Sequence, residues 1–249
     1  MSREQTRIRI SLWSGPRNVS TALMYSFAQR PDTRVVDEPL YAHYLTHSDA
    51  RLYHPGADRV IASMEPDGAV VVESMLLGSY ERPVVFFKNM AHHLLDLDWS
   101  FLCRLRNVIL TRDPAEMLCS YAKTVARPSL RDTGYLVQVR LLDYLIDAGR
   151  RPAVLDAREL LLDPRGVLSS LCRHLGIVFD DRMLSWRPGP RPEDGIWAEY
   201  WYEQVHRSSG FRPYRPKTEP VPKALRLLLE ECLPLYQRLS VYTIKAGRP

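Results

Sequence analysis

Two short stretches of the chain carry residue types suited to holding anions. The first, Ser14-Gly15-Pro16-Arg17-Asn18-Val19-Ser20-Thr21, follows an apolar run from Ile8 and opens an amphipathic stretch ending near Arg30. Main-chain N–H groups of such a turn and of the helix start beyond it converge on an anion. The hydroxyls of Ser20 and Thr21 add donors, and Arg17 reaches over the loop with its guanidinium. The Walker pattern G-x-x-x-x-G-K-[ST] is not met, because Ser20 stands at its second glycine and Thr21 at its lysine. A plain strand-to-helix turn with Ser20 as N-cap is the simpler alternative. In the second stretch Arg112 closes an apolar run, Pro114 suits a first helical turn, and Ser120 follows eight residues after Arg112. That spacing lets the arginine and the serine approach one ligand; the alternative is an exposed arginine and a helix-surface serine.

These residues need a scaffold of strands and helices. Short runs rich in Val and Ile, such as RIRISLW, TRVVDE, GAVVVES, RPVVFFK, RNVILTR and RPAVLDA, read as strands. Between them STALMYSFAQR, PAEMLCSYAKTV, YLVQVRLLDYLIDAG and DPRGVLSSLCRHLG have helical apolar spacing. The alternation predicts an α/β fold, a mostly parallel sheet flanked by helices, with ligands at the carboxyl ends of the strands. WRPGPRPEDG and FRPYRPKTEPVP read as loops.

With 249 residues, 45% hydrophobic and 25% charged, the expectation is one globular domain over 1–249. The net charge of +5 rests almost wholly on arginine, which favours bidentate contacts to phosphate or carboxylate; no basic block points to nucleic acid. Four cysteines without C-x-x-C spacing argue against a zinc or disulfide framework and fit a reducing cytoplasm. No signal-peptide core or membrane-length apolar run is seen, so no membrane partner is expected. His43 and His47 stand four apart with no third ligand motif, so no metal is expected.

Together, SGPRNVSTAL and LTRDPAEMLCSY resemble the two phosphate-binding segments of the sulfotransferases, a family with a P-loop NTPase-like fold. The stretch from Val154 to Leu184 and the segment HRSSGFRPY are similar to later parts of the same family. Asn18 and Val19 replace its usual Ser-Gly, which marks a divergent branch. The resemblance implies 3′-phosphoadenosine 5′-phosphosulfate as co-substrate, with no metal required. It implies that Arg17, Asn18, Val19, Ser20 and Thr21 hold the 5′-phosphate, Arg17 stabilising the leaving phosphate, and that Arg112 and Ser120 hold the 3′-phosphate. Arg207, Ser209 and Gly210 are implied to close over the nucleotide.

An acceptor hydroxyl must lose a proton in that chemistry. Glu38, just past the second expected strand and fixed by Pro39, resembles the catalytic glutamate of several sulfotransferase branches. Burial is needed to raise its pKa toward a useful range. Asp37 points to the opposite side if the strand continues. Lys88 is a candidate to stabilise charge on the transferred group, and His92 or His93 is the competing base. Trp197 and Trp201 share a helical face and read as core or as an aromatic acceptor wall. The expected partner is a small-molecule acceptor of open identity, alcohol, phenol, sugar or amine; the oligomeric state is also open. A P-loop kinase-like phosphoryl transferase and a non-catalytic nucleotide-binding protein are the alternatives.

Overall fold

The computed structural model describes residues 7–125, 127–216 and 219–247. Six strands, β1 (Ile8–Ser14), β2 (Thr33–Asp37), β3 (Val84–Met90), β4 (Arg106–Thr111), β5 (Ala153–Asp156) and β6 (Thr243–Ile244), form one sheet in the order β2-β3-β1-β4-β5-β6. Every neighbouring pair is parallel. Strands buried on both faces read as nearly continuous apolar runs, which explains how plainly ILT and VVFF announce themselves. One core holds Phe87, Ile109 and Trp13, and a second holds Ile10, Phe86 and Leu110, so alternate residues of a strand feed opposite layers.

Helices follow the strands: α1 (Ser20–Ala28) after β1; α2 (Tyr41–Thr46), α3 (Ala57–Ser63) and α4 (Gly68–Val71) between β2 and β3; α5 (Pro114–Tyr121), α6 (Leu130–Thr133) and α7 (Tyr135–Asp147) between β4 and β5. Then come α8 (Ala157–Leu162), α9 (Pro164–His174), α10 (Ala198–Trp201), α11 (Glu203–His206) and α12 (Arg226–Ser240). Asp113 caps α5 by accepting from the Ala115 N–H, with Pro114 at the helix start.

GAVVVES is not a strand. Asp67 accepts from the N–H groups of Ala69 and Val70 and starts a helix there, continued by a π-turn over Val72–Leu76. Val71, Val72 and Leu76 are buried while Val70 is exposed, a helical rather than alternating pattern. The chain therefore reaches β3 only at Val84, and β3 inserts between β2 and β1. The succession then passes to β4 on the other side of β1, so the sheet reverses direction there. In open parallel sheets such a reversal leaves a crevice at the strand ends. Gln138 crosses that region, donating to the carbonyls of Trp13 and Leu110.

Candidate functional site

The loop after β1 runs from Gly15 to Val19. Gly15 is closely packed: a Cβ there would lie 3.0 Å from the Thr133 carbonyl oxygen. The left-handed backbone conformation, which favours glycine, falls instead on Arg17 at φ +50°. Val19 stands at the N-cap with φ −90°, and no side chain caps α1. Ser20, the N-cap in the simpler alternative, is instead the first helical residue, so the start of α1 keeps main-chain donors for a ligand. Asn18 faces inward and donates to the Leu110 carbonyl at 3.0 Å, tying the loop to β4.

Arg112 follows β4 and reaches the same loop. Its guanidinium donates to the Arg17 carbonyl at 2.9 Å and pairs with Glu116 at 2.9 Å. Arg17 donates from Nε to the Ser120 Oγ at 3.1 Å. Burial, and next the Arg112 charge, lower the Arg17 pKa. Two like charges held together suit a site whose ligand carries several negative charges. These residues line a cleft of about 710 Å³ that also takes in Val19, Thr21 and Gly210, a size that suits a small ligand such as a nucleotide.

Arg207 and Ser209 are placed otherwise. Arg207 is exposed and pairs with Glu203 at 2.7 Å; Ser209 is exposed and its carbonyl accepts from the Trp186 N–H at 3.0 Å. The cleft is lined instead by their neighbours Ser208, Arg212, Tyr214 and Arg215. Tyr214 donates to Glu116, which draws this late segment toward the Arg112 end of the cleft.

A smaller cavity of about 110 Å³ adjoins the cleft, and Arg17, Asn18, Thr21 and Trp201 line both. Ser20, Glu38, Lys88, His92 and His93 line the smaller one. The in-register pairing of β2 with β3 sets Asp37 beside Lys88. Asp37 does not point away from Glu38. The strand ends at Asp37, and Glu38 takes a left-handed φ of +41°, which turns its side chain back so that both carboxylates meet Lys88. A non-glycine residue held there carries backbone strain, which clusters at functional sites. The Glu38 N–H still donates to the Lys88 carbonyl at 2.7 Å.

Burial raises the Glu38 carboxyl above its usual range; the Lys88 ammonium opposes this and the Asp37 charge adds to it. For Lys88, burial favours loss of the proton, but Asp37 and then Glu38 outweigh it and raise the pKa. The histidines go the other way. Burial lowers His54 to about 4 and His92 to about 3, and takes His93 well below its usual value. All three imidazoles are therefore neutral at pH 7. His93 is stacked on both Tyr41 and Tyr44, with ring centroids 5.1 and 4.8 Å away.

His43 is structural: its Nδ1 accepts from the Gly68 N–H at 3.2 Å and its Nε2 lies 2.8 Å from the Leu95 carbonyl. No group of three or more His, Cys, Asp or Glu arranged to hold a metal occurs among the described residues. Nor, among them, is any helix long and apolar enough to cross a membrane. Sequence reasoning missed Tyr202, whose hydroxyl meets Lys88 at 2.6 Å and Asp37 at 2.7 Å. Its one signal was membership of the aromatic run after Ile196.

Comparisons with known proteins bear on the family and the fold. The family model described as a sulfotransferase domain matches residues 8–243. Two Arabidopsis thaliana proteins named branched-chain-amino-acid aminotransferase-like protein 2 and protein 1 are 40% and 42% identical over 94% and 92% of the chain. The chain spans 41% of the length of each. Among solved structures, a sulfotransferase from Alicyclobacillus acidocaldarius superposes with a TM-score of 0.56 at 13% identity, covering 94% of this chain and 95% of that one. The sulfotransferase domain from the curacin biosynthetic pathway gives 0.50 at 14% identity, covering 98% of this chain and 99% of that one.

Proposed function

The chain belongs to the sulfotransferase domain family, and on that footing we propose that it moves a sulfuryl group from 3′-phosphoadenosine 5′-phosphosulfate to a hydroxyl or amine of a small-molecule acceptor. The observation that carries the proposal is the convergence of Arg17, Arg112 and Ser120 at the open start of α1, next to a cavity holding a buried glutamate. The uncapped α1 start, Arg17, Ser20 and Thr21 receive the 5′-phosphate end of the donor; Arg112 and Ser120 receive the 3′-phosphate.

The acceptor sits in the smaller cavity. Its oxygen or nitrogen bonds to sulfur as the sulfur–oxygen bond to the 5′-phosphate breaks. The acceptor proton goes to Glu38, and the charge left on the departing nucleotide is met by Arg17 and the α1 N–H groups. Glu38 suits the role of base better than the histidines: burial makes its carboxylate more basic and makes His92, at about 3, less so. The transferred group needs no metal. The rival phosphoryl-transfer reading takes Asp37 and Glu38 as metal ligands, but the Lys88 ammonium already occupies the space between them. Four free thiols suit a reducing compartment such as the cytoplasm.

The test is binding of adenosine 3′,5′-bisphosphate without added metal, read as a melting shift. Ligand at ~100 times its dissociation constant adds ~2.7 kcal/mol to native stability. A shift with ATP and Mg²⁺ but none with the bisphosphate overturns the proposal in favour of phosphoryl transfer. Binding without transfer to any acceptor in a broad panel favours the non-catalytic alternative.

A further inference from the structure

Lys88 and Tyr202 lie at the centre of a polar cluster whose hydrogen-bonding capacity is consumed within the protein. A phenol has one proton and two lone pairs. The Tyr202 proton goes to the Asp37 carboxylate, 2.7 Å to Oδ2 and 3.0 Å to Oδ1. Its lone pairs receive Lys88 Nζ at 2.6 Å and Trp197 Nε1 at 3.1 Å. An ammonium has three protons, and Lys88 faces three acceptors: the Tyr202 hydroxyl, Asp37 Oδ1 at 3.1 Å and the Glu38 carboxylate. No Lys88 proton is left for a transferring group unless one of these partners gives way. That geometry argues against Lys88 as a direct ligand of the group in transit.

We propose that Tyr202 is a positioning residue that, with Asp37, divides the Lys88 charge between two carboxylates and thereby sets the basicity of Glu38, so that Lys88 acts through Glu38. The inference rests on the reading of Glu38 as base. The charged and titratable groups around Glu38 are Asp37 from β2, Lys88 from β3, Tyr202 after α10, and, around the cavity, Tyr41, His54, His92, His93, Tyr121 and Arg17. The histidines are neutral and the tyrosines hold their protons, because burial raises Tyr41, Tyr121 and Tyr202. Arg17 is a charge that neither substitution below alters, so the adjustable balance is set by Asp37, Lys88 and the Tyr202 hydroxyl.

Two substitutions disturb that balance in opposite senses. Tyr202→Phe leaves Asp37 without its hydroxyl donor, so its remaining contacts are the Gly195 N–H at 3.3 Å and Lys88. Asp37 then draws the ammonium away from Glu38, whose carboxylate becomes more basic. Asp37→Asn can still accept from Tyr202, yet it removes a negative charge that raises Glu38 and leaves the ammonium to Glu38 alone. There the carboxylate becomes less basic. A residue needed only for packing does not produce shifts of opposite sign.

The experiment is a titration of the full chain labelled with ¹³C at the glutamate carboxyls, the Glu38 signal being assigned by its loss in Glu38→Gln. The midpoint is expected to rise by about half a pH unit or more in Tyr202→Phe and to fall by a similar amount in Asp37→Asn, each unit being a tenfold change in proton affinity. Midpoints unchanged in both variants, or moving the same way, overturn the proposal. If Tyr202→Phe does not fold, Tyr202→Met, which also removes the hydroxyl, is titrated in its place: a rise supports the proposal and any other result overturns it. The titration needs no substrate, so its outcome is separate from that of the base role, which fails if Glu38→Gln keeps wild-type transfer.

Discussion

Arg112, at the end of β4, donates to the main-chain carbonyl of Arg17, in the loop at the end of β1, at 2.9 Å. One guanidinium thus braces the loop and leaves donors facing the cleft, so on the proposed function the two phosphate ends of the donor are coupled through it.

Arg112→Ala is expected to weaken adenosine 3′,5′-bisphosphate by ~1.5 to 3 kcal/mol, the range for a hydrogen bond to a charged group. Adenosine 5′-phosphate, which offers no 3′-phosphate, is expected to lose less, and what it loses reports the bracing of the Arg17 loop. Calorimetric titration of both nucleotides separates the two effects. Equal losses show that Arg112 meets no 3′-phosphate.

Glu38→Gln keeps size and most hydrogen bonds but removes the base. Bisphosphate affinity should hold while transfer falls by ~10²- to 10⁴-fold. Labelled donor and a broad acceptor panel give the readout. Activity that survives in Glu38→Gln but is lost in His92→Ala moves the base to the histidine pair.

Stability should fall on mild acidification. His54, His92 and His93 are neutral in the folded protein down to pH values of about 4, about 3 and lower still, whereas in the unfolded chain they take up protons near 6.5. Below pH 6.5 the unfolded state therefore binds more protons, and native stability drops as pH falls, by ~1.4 kcal/mol per pH unit for each such imidazole. Denaturant midpoints between pH 7.5 and 5 measure the slope. His92→Gln should make it shallower; parallel curves for the variant and wild type contradict the assignment.

Gly210→Ala should be costly. An added Cβ would lie 2.8 Å from the Leu184 carbonyl oxygen, where Ser185 and Gly210 bridge the two ends of the segment that forms α10 and α11. Overpacking of this kind typically costs ~1 to 3 kcal/mol. Thermal melting gives the loss, and bisphosphate binding should weaken with it because Gly210 lines the cleft.

The strands of the parallel sheet and the two strand-turn-helix segments that carry Arg17 and Arg112 were legible because they are local. An apolar strand, a turn and a helix follow one another in sequence from Ile8 to Ala28 and again from Arg106 to Tyr121, each with recognisable turn residues. The GAVVVES stretch misled because a run of valines has the composition of a strand, and only the Asp67 cap and the exposure of Val70 show it to be helical. β6 has two residues, too few for any periodicity. Asp37 was expected on the opposite side only if the strand continued; it ends at Asp37, and nothing in Asp-Glu-Pro announces φ +41° at Glu38. Tyr202 was hidden by distance: its meeting with Lys88 spans 114 residues. Arg207 lies before the loop FRPYRPKTEPVP and the cleft-lining Arg212 and Arg215 lie within it, where no apolar period shows which arginine faces the cleft.

The long chain between Lys88 and Tyr202 also orders events in time. During synthesis Asp37, Glu38 and Lys88 leave the ribosome first, and the next 114 residues must follow before the hydroxyl that joins them exists. Non-local closures of this length are slow steps in assembly. Until that segment arrives the two carboxylates have only the ammonium to share, without the Tyr202 hydroxyl that joins Asp37 to Lys88. The chain thus acquires the loop after β1 early and the cluster of Asp37, Glu38, Lys88 and Tyr202 late, so a truncated product ending before Trp197 contains the sequence of that loop but lacks the hydroxyl that completes the cluster.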